Sequence, residues 1–371
     1  MSFSRTATLR HPFAVLATTV ALIGLATPLA TQATPARRST AISSKSDRGM
    51  SRAFCASCPE TADFAVPGAG QQGSVAAPRN QQTPNAEVHA LHVQGNIWML
   101  VGGGGGNVTV QAGDDGVLLV DTSLASLSDA VKAEIKKISS KPLNYIINTH
   151  VHADHVGGNE TLGKASTDFL APAQVQILAH ESVLNRMSAP TGRQAAFPAG
   201  SWPTDTYFTK QKEVFFNGEA IILLHQPAAH TDGDTIVFFR RSDVVSTGDI
   251  FQTTTFPFID TERGGTVTGI IAALNNVLDI TVPRDKQEGG TYVIPGHGRL
   301  CDEHDVLEYR DMLTIVRDRV RDGVKKGMTL AQVKATQPTL DYDARWGSNA
   351  GPQTTDQFLE KIFKEMQSTR P

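Results

Sequence analysis

Asn148-Thr149-His150-Val151-His152-Ala153-Asp154-His155, continued by Val156-Gly157-Gly158-Asn159, packs four metal-capable side chains into six positions. It follows directly on Leu143–Ile147, a run whose apolar character predicts a buried strand. The polar side chains therefore fall in the loop at that strand's C-terminal end. Packed together without a cation, three imidazoles and a carboxylate would leave many polar atoms in need of partners. A divalent metal satisfies them together, through neutral imidazole nitrogens and an ionised oxygen. His150 and His152, two apart in an extended loop, can reach one ion while Asp154 and His155 reach another.

Further candidates stand at other predicted strand ends. His230 lies in Pro227-Ala228-Ala229-His230-Thr231-Asp232-Gly233-Asp234, after an apolar run that ends near Leu224. Asp249 lies in Thr247-Gly248-Asp249, directly after Val244–Thr247. His297 lies in Pro295-Gly296-His297-Gly298, directly after Tyr292–Ile294. Each is flanked by Gly or Pro, so the backbone can turn sharply and aim the side chain at a common point. Taken singly these are weak signals; with the HxHxDH cluster they form a set.

In order and local context these segments, with the strand ending Leu119-Val120-Asp121-Thr122, resemble the metallo-β-lactamase superfamily over residues 88–300. The resemblance implies an α/β fold, a four-layer αββα sandwich with metals at one edge. It implies that His150, His152 and His230 hold one metal. Asp154, His155 and His297 would hold a second, with Asp249 bridging the two. Asp121 would orient ligands from behind, and Asp154 would also orient the nucleophile in catalysis. An aspartate at the bridge is more similar to glyoxalase II and the lactonases than to the best-known β-lactamases, which often place cysteine there. The phrases 230–235 and 285–300 also resemble exported members loosely described as cyclase-like or quinoprotein-relay-like.

The same resemblance implies two zinc ions, with iron or manganese as alternatives, and a small-molecule substrate. The expected reaction is hydrolysis of an ester, thioester or amide, a lactone or β-lactam ring included. Two other classes stay open at this point: an iron-dependent oxidoreductase acting on thiols or oxygen, and a noncatalytic metal-binding relay protein. In the resembling fold the hairpin around Gly102–Gly106 overhangs the metals, which makes its glycine-rich tip a candidate flap. Phe256 and Phe258, within Phe251–Ile259, are candidates for an apolar pocket wall or for core packing.

Composition limits the choices. Of 371 residues, 40% are hydrophobic and 19% charged, which suits a globular protein with a sizeable core. The net charge is −3 and no long basic run occurs, so nucleic acid is a poor default partner. Residues 1–36 read as a signal peptide: Arg5 and Arg10, then the apolar run Phe13–Leu25, then small residues around Thr31–Ala36. The apolar run is shorter than the roughly 20 residues of a spanning helix. The expectation is therefore a periplasmic or secreted protein with no stable membrane insertion once the signal is cleaved. Residues 37–86, rich in Ser, Ala, Gln, Gly and Pro, read as a disordered linker before a domain over 87–371. Cys55 and Cys58 form a CxxC pair in that stretch, more suited there to a local disulfide than to redox work.

Within the domain, strands are predicted at Ile97–Val101, Val108–Gln111, Val117–Val120, Leu143–Asn148, Ala220–Leu224, Thr235–Phe239, Val244–Thr247 and Tyr292–Ile294. Helices are predicted at Leu127–Ile138, Gln174–Arg186, Val267–Leu278, Asp305–Asp322 and Asp356–Met366, the last pair forming a C-terminal helical extension. His180 then falls within a helix, with a local hydrogen-bonding role. His225 belongs to no cluster.

Overall fold

The computed structural model describes residues 87–164, 175–188, 197–286 and 289–369. The expected signal segment 1–36, the linker 37–86 and the Cys55/Cys58 pair lie outside them.

Thirteen strands among the described residues form two sheets. The first is β1 (Val88–Gln94), β2 (Ile97–Gly102), β3 (Val108–Gly113), β4 (Gly116–Val120), β5 (Leu143–Ile147), β6 (Gln176–His180) and β7 (Asp205–Tyr207), paired in that order. The second runs β13 (Cys301–Asp302), β12 (Tyr292–Ile294), β11 (Val244–Ser246), β10 (Asp234–Phe239), β9 (Glu219–Gln226) and β8 (Gln211–Phe216). The helices are α1 (Ser128–Ile138), α2 (Ala153–Val156), α3 (Asn159–Lys164), α4 (Glu181–Ser188), α5 (Val267–Ile280), α6 (Glu303–Lys325), α7 (Leu330–Ala335), α8 (Asp343–Trp346) and α9 (Thr355–Ser368).

Strand alternation explains the layering. In β4, Leu118 and Val120 point into the space between the sheets, where they meet Leu223, Val237 and Phe239 of the other sheet. Val117 and Leu119 point the other way, onto Val131 and Ile135 of α1. On the far side Ile236, Val245 and Val293 pack against α5, α6 and α9. The result is the four-layer αββα sandwich expected from the sequence. Burying each such side chain contributes roughly 1.5–3 kcal/mol.

Strand direction then places the site. β4, β5, β6 and β7 are mutually parallel, and so are β11 and β12. Their C-terminal ends release Asp121, the 148–155 loop, Asp249 and His297 at one edge of the sandwich. The β9–β10 connection brings His230 to the same edge, where Thr235 N–H donates to Thr149 O at 2.9 Å.

One expected helix is overturned. The span predicted as helical from Gln174 to Arg186 is β6 followed by α4, residue 174 lying outside the described residues. Ile177–Ala179 is a short apolar run whose pairing with β5 (Ile146 to Ile177, Ile147 to Leu178) overrides its helical spacing. His180 accordingly ends a strand rather than sitting on a helix. Its ring is buried and stacks on His225, centroids 3.5 Å apart and planes 8° from parallel. His225 therefore does have a histidine partner, contrary to expectation. Strands β1, β7, β8 and β13 escaped prediction: all four lie at sheet edges, β1 and β8 with largely exposed side chains and β7 and β13 only three and two residues long.

Candidate metal centre

All seven predicted ligands converge. His150 Nε2 lies 3.2 Å from His152 Nδ1, and His230 Nε2 lies 2.9 Å from that same atom. Asp249 Oδ2 faces this group, 3.9 Å from His150 Nε2 and 3.7 Å from His230 Nε2. A second group gathers around the other oxygen of the same carboxylate: Asp249 Oδ1 is 3.0 Å from His155 Nε2 and 3.4 Å from His297 Nε2. Asp154 Oδ2 completes it, 3.2 Å from His297 Nε2 and 3.7 Å from His155 Nε2. Ligands about 2.0–2.1 Å from a tetrahedral cation stand about 3.3–3.4 Å from one another, so both groups have the spacing of a coordination shell.

The outward ring atoms decide which nitrogens face inward. Thr149 Oγ1 donates to Asp121 Oδ2 at 2.6 Å, leaving its lone pair to accept from His150 Nδ1 at 3.0 Å. His155 Nδ1 donates to Asp121 Oδ2 at 2.8 Å, and His230 Nδ1 to the Phe258 carbonyl at 2.6 Å. His152 is turned the other way: its Nε2 donates to Asp260 Oδ2 at 2.8 Å, so Nδ1 faces the group. With the outer nitrogens carrying the protons, the inner ones present lone pairs to one another. Only a cation between them makes that arrangement favourable.

Charge tells the same story. Burial opposes ionisation of Asp249, yet His155 and His297 outweigh it and hold the carboxyl well below the usual range. Its Oδ1 is buried and has no well-aligned donor, although His155 Nε2 is near. Burial, reinforced by His155 and His230, keeps His150 well below the ordinary histidine value. Burial and His152 bring His230 down to about 4. For His297, burial is outweighed by Asp249 and Asp154, which raise it to about 9. The acidic second group thus calls for positive charge, and the first offers neutral imidazoles. The residues fit two divalent cations.

Two glycines make the closeness tolerable. A Cβ on Gly296 would stand 2.0 Å from Asp249 Oδ1, and one on Gly106 would stand 2.5 Å from His155 Cε1. Gly106 also anchors the C-terminal end of the glycine-rich hairpin. Its N–H donates to Asp154 O at 3.0 Å, and Asn107 N–H to Gly296 O at 2.8 Å, so the loop's end is pinned beneath the second group.

The comparisons with known proteins agree with this geometry. The family described as "Metallo-beta-lactamase superfamily" matches residues 101–297, more than half of the chain. The chain belongs to the metallo-β-lactamase superfamily. Among curated proteins it is 25% identical over 256 residues to the linear primary-alkylsulfatase of Pseudomonas sp. (strain ATCC 19151), covering 58% of this chain and 46% of that one. It is 31% identical over 171 residues to the 2,4-dinitroanisole O-demethylase subunit alpha of Nocardioides sp. (strain JS1661), covering 43% and 47%. The chain thus spans about half the length of these relatives. Among solved structures, the stereoselective inverting sec-alkylsulfatase Pisa1 from Pseudomonas sp. shares the fold, with a TM-score of 0.54 at 16% identity over 77% of this chain and 51% of that one.

Within this metallo-β-lactamase fold, the sequence reading missed Asp260. It lies 108 residues from the histidine it touches, one position beyond the segment read as an apolar wall. Its carboxyl is depressed: burial opposes this, but His152 and then Arg263, whose Nη1 donates at 2.6 Å, prevail. The wall itself divides. Phe256 is core, stacked on Phe358 at 4.7 Å, whereas the Phe258 ring lies 5.7 Å from His152 and 5.8 Å from His230. Exposure across the centre is uneven, with His152 17% exposed. His150, His155 and His230 are fully buried, while Asp154 and His297 are 31% and 25% exposed.

Proposed function

We propose that the protein is an exported, dinuclear zinc hydrolase that cleaves an ester, thioester or amide bond in a small molecule, a lactone or β-lactam ring included. The observation that carries this reading is Asp249, whose Oδ2 faces the ligand nitrogens of His150 and His230 while its Oδ1 faces those of His155 and His297. His150, His152 and His230 would hold one cation, and Asp154, His155 and His297 the other. Bound cations would supply Lewis acidity toward the substrate oxygen and acidify a water toward neutral pH. Asp154, on the open side, takes the water's proton as the oxygen bonds to the carbonyl carbon. The bond to the leaving group then breaks, and the leaving atom receives the proton. Asp121 and Asp260 hold the imidazoles still throughout. Export to the periplasm or exterior is supported by the segment 1–36.

Similarity to an alkylsulfatase adds a sulfate ester to the substrates to be tried. The test is the initial rate on a chromogenic cephalosporin, a p-nitrophenyl ester, a lactone and an alkyl sulfate, with and without chelator. Chelator-sensitive turnover of at least one is expected. Protein that holds two metals and hydrolyses none contradicts the substrate class. Turnover coupled to oxygen consumption contradicts hydrolysis and favours the iron oxidoreductase.

A further inference from the structure

Residues 253–260 form an irregular connection, with no ladder to fix its backbone. Yet this connection supplies two of the three groups that orient ligands of the first cation: the Phe258 carbonyl on His230 and the Asp260 carboxylate on His152. Its ends are held locally, by Asp260 N–H on His230 O at 3.0 Å and Gln252 Nε2 on Phe256 O at 2.9 Å, but residues 257–259 between them are held from beyond residue 297, where the family match ends. Gln353 Nε2 donates to Pro257 O at 2.5 Å, and Gln353 Oε1 accepts from Ile259 N–H at 3.2 Å. Lys361, on α9, donates from Nζ to Ile259 O at 2.6 Å, and the same ammonium sits 4.3 Å over the Phe258 ring. Both sides of Phe258 are thereby tied to the C-terminal layer. α9 is itself secured by a Thr354/Gln357 capping box and by buried Phe358, Ile362 and Phe363.

We infer that Gln353 and Lys361 are positioning residues of the metal centre, clamping 257–259 so that His230 and His152 present their ligating nitrogens. The inference rests on the metal-site reading. A backbone carbonyl can orient an imidazole only if its own peptide is fixed. Here two side chains from a separate layer fix the peptides on either side of it. The C-terminal helices thus carry more than hydrophobic cover.

The test is a titration of metal-stripped protein with Co²⁺ alone, read by visible absorption and by competition with a chelator. Wild-type protein, Lys361→Met, Lys361→Arg and Gln353→Ala are compared. We expect wild type to take two cobalt ions. Lys361→Met and Gln353→Ala should weaken one of the two by about 10–100-fold, with a changed spectrum for that ion and the other unaffected. Lys361→Arg keeps a donor and a cation over the ring and should restore the wild-type titration. If Lys361→Met does not fold, Gln353→Ala carries the same test with the ring contact intact. Variants that melt earlier but bind both ions as wild type does overturn the inference, leaving the clamp as packing alone. Wild type that binds no cobalt overturns the metal reading itself, and the inference with it.

Discussion

Among the described residues are two clusters of histidines, and they are built on opposite plans. At the metal centre no two rings stack: His150 and His230 are nearly perpendicular, at 89°, as are His150 and His152, at 90°, and His150 and His155 are tilted at 47°. Their nitrogens point inward and their outer atoms are held by Thr149, Asp260 and a carbonyl. At the end of β6, His180 and His225 lie face to face. Their nitrogens are spent locally: His180 Nδ1 accepts from Ser182 N–H at 3.3 Å, and His225 Nε2 donates to Asp232 O at 2.8 Å. Converging lone pairs make a ligand set; stacked faces make a packed pair. Proximity of histidines alone does not distinguish the two.

The comparison can be broken most forcefully at His152. His152→Ala removes an inward nitrogen and is expected to weaken metal binding by more than about 100-fold and abolish turnover. A variant that keeps two metals and turns over normally would mean that the converging nitrogens are not ligands. Asp249→Cys offers one ligand atom in place of two. It should keep a metal at the first group and empty or weaken the second, so unchanged stoichiometry by elemental analysis would argue against a bridging carboxylate. Asp260→Asn keeps the shape but loses the charge that holds His152. About a tenfold loss of affinity, confined to one of two ions, is expected in chelator competition.

His180, in the stacked pair, should respond to pH instead of to metal. Burial, and then His225, lower His180 to about 4 from an ordinary 6.5. Below pH 6.5 the unfolded chain takes up a proton that the folded ring refuses until about pH 4. Stability is therefore lost as pH falls through that window and levels off beneath it. The expected loss is roughly 2–3 kcal/mol. His180→Phe should flatten that part of the stability curve, measured by denaturant midpoint against wild type, and leave cobalt binding unchanged. Altered cobalt binding would show that the pair is coupled to the centre.

These contrasts also explain how much was legible in the sequence. The seven candidate ligands stood out because four crowd into one loop and three follow apolar runs beside Gly or Pro. The layered fold was legible because β4 is buried on both faces and reads as an unbroken apolar run, and β5 ends in the buried pair Ile146–Ile147. Asp260 was not, since nothing local distinguishes it from any loop aspartate and its meaning lies in a contact 108 residues away. Phe256 and Phe258 differ by two positions, yet one fills the core and the other faces the histidines. Periodicity cannot separate them in an irregular loop. β6 was read as helix because a short apolar run fits either period, and only pairing with β5 selects the strand. The glycine-rich hairpin suggested freedom, whereas Gly106 is there for close approach.

The most direct test of the two-cation account is a zinc titration of chelator-stripped protein, with hydrolysis of the best substrate followed at each addition. The account predicts no turnover without metal and full activity only as the second equivalent binds. Activity that persists after stripping, or that saturates at a site holding a single ion, would contradict it.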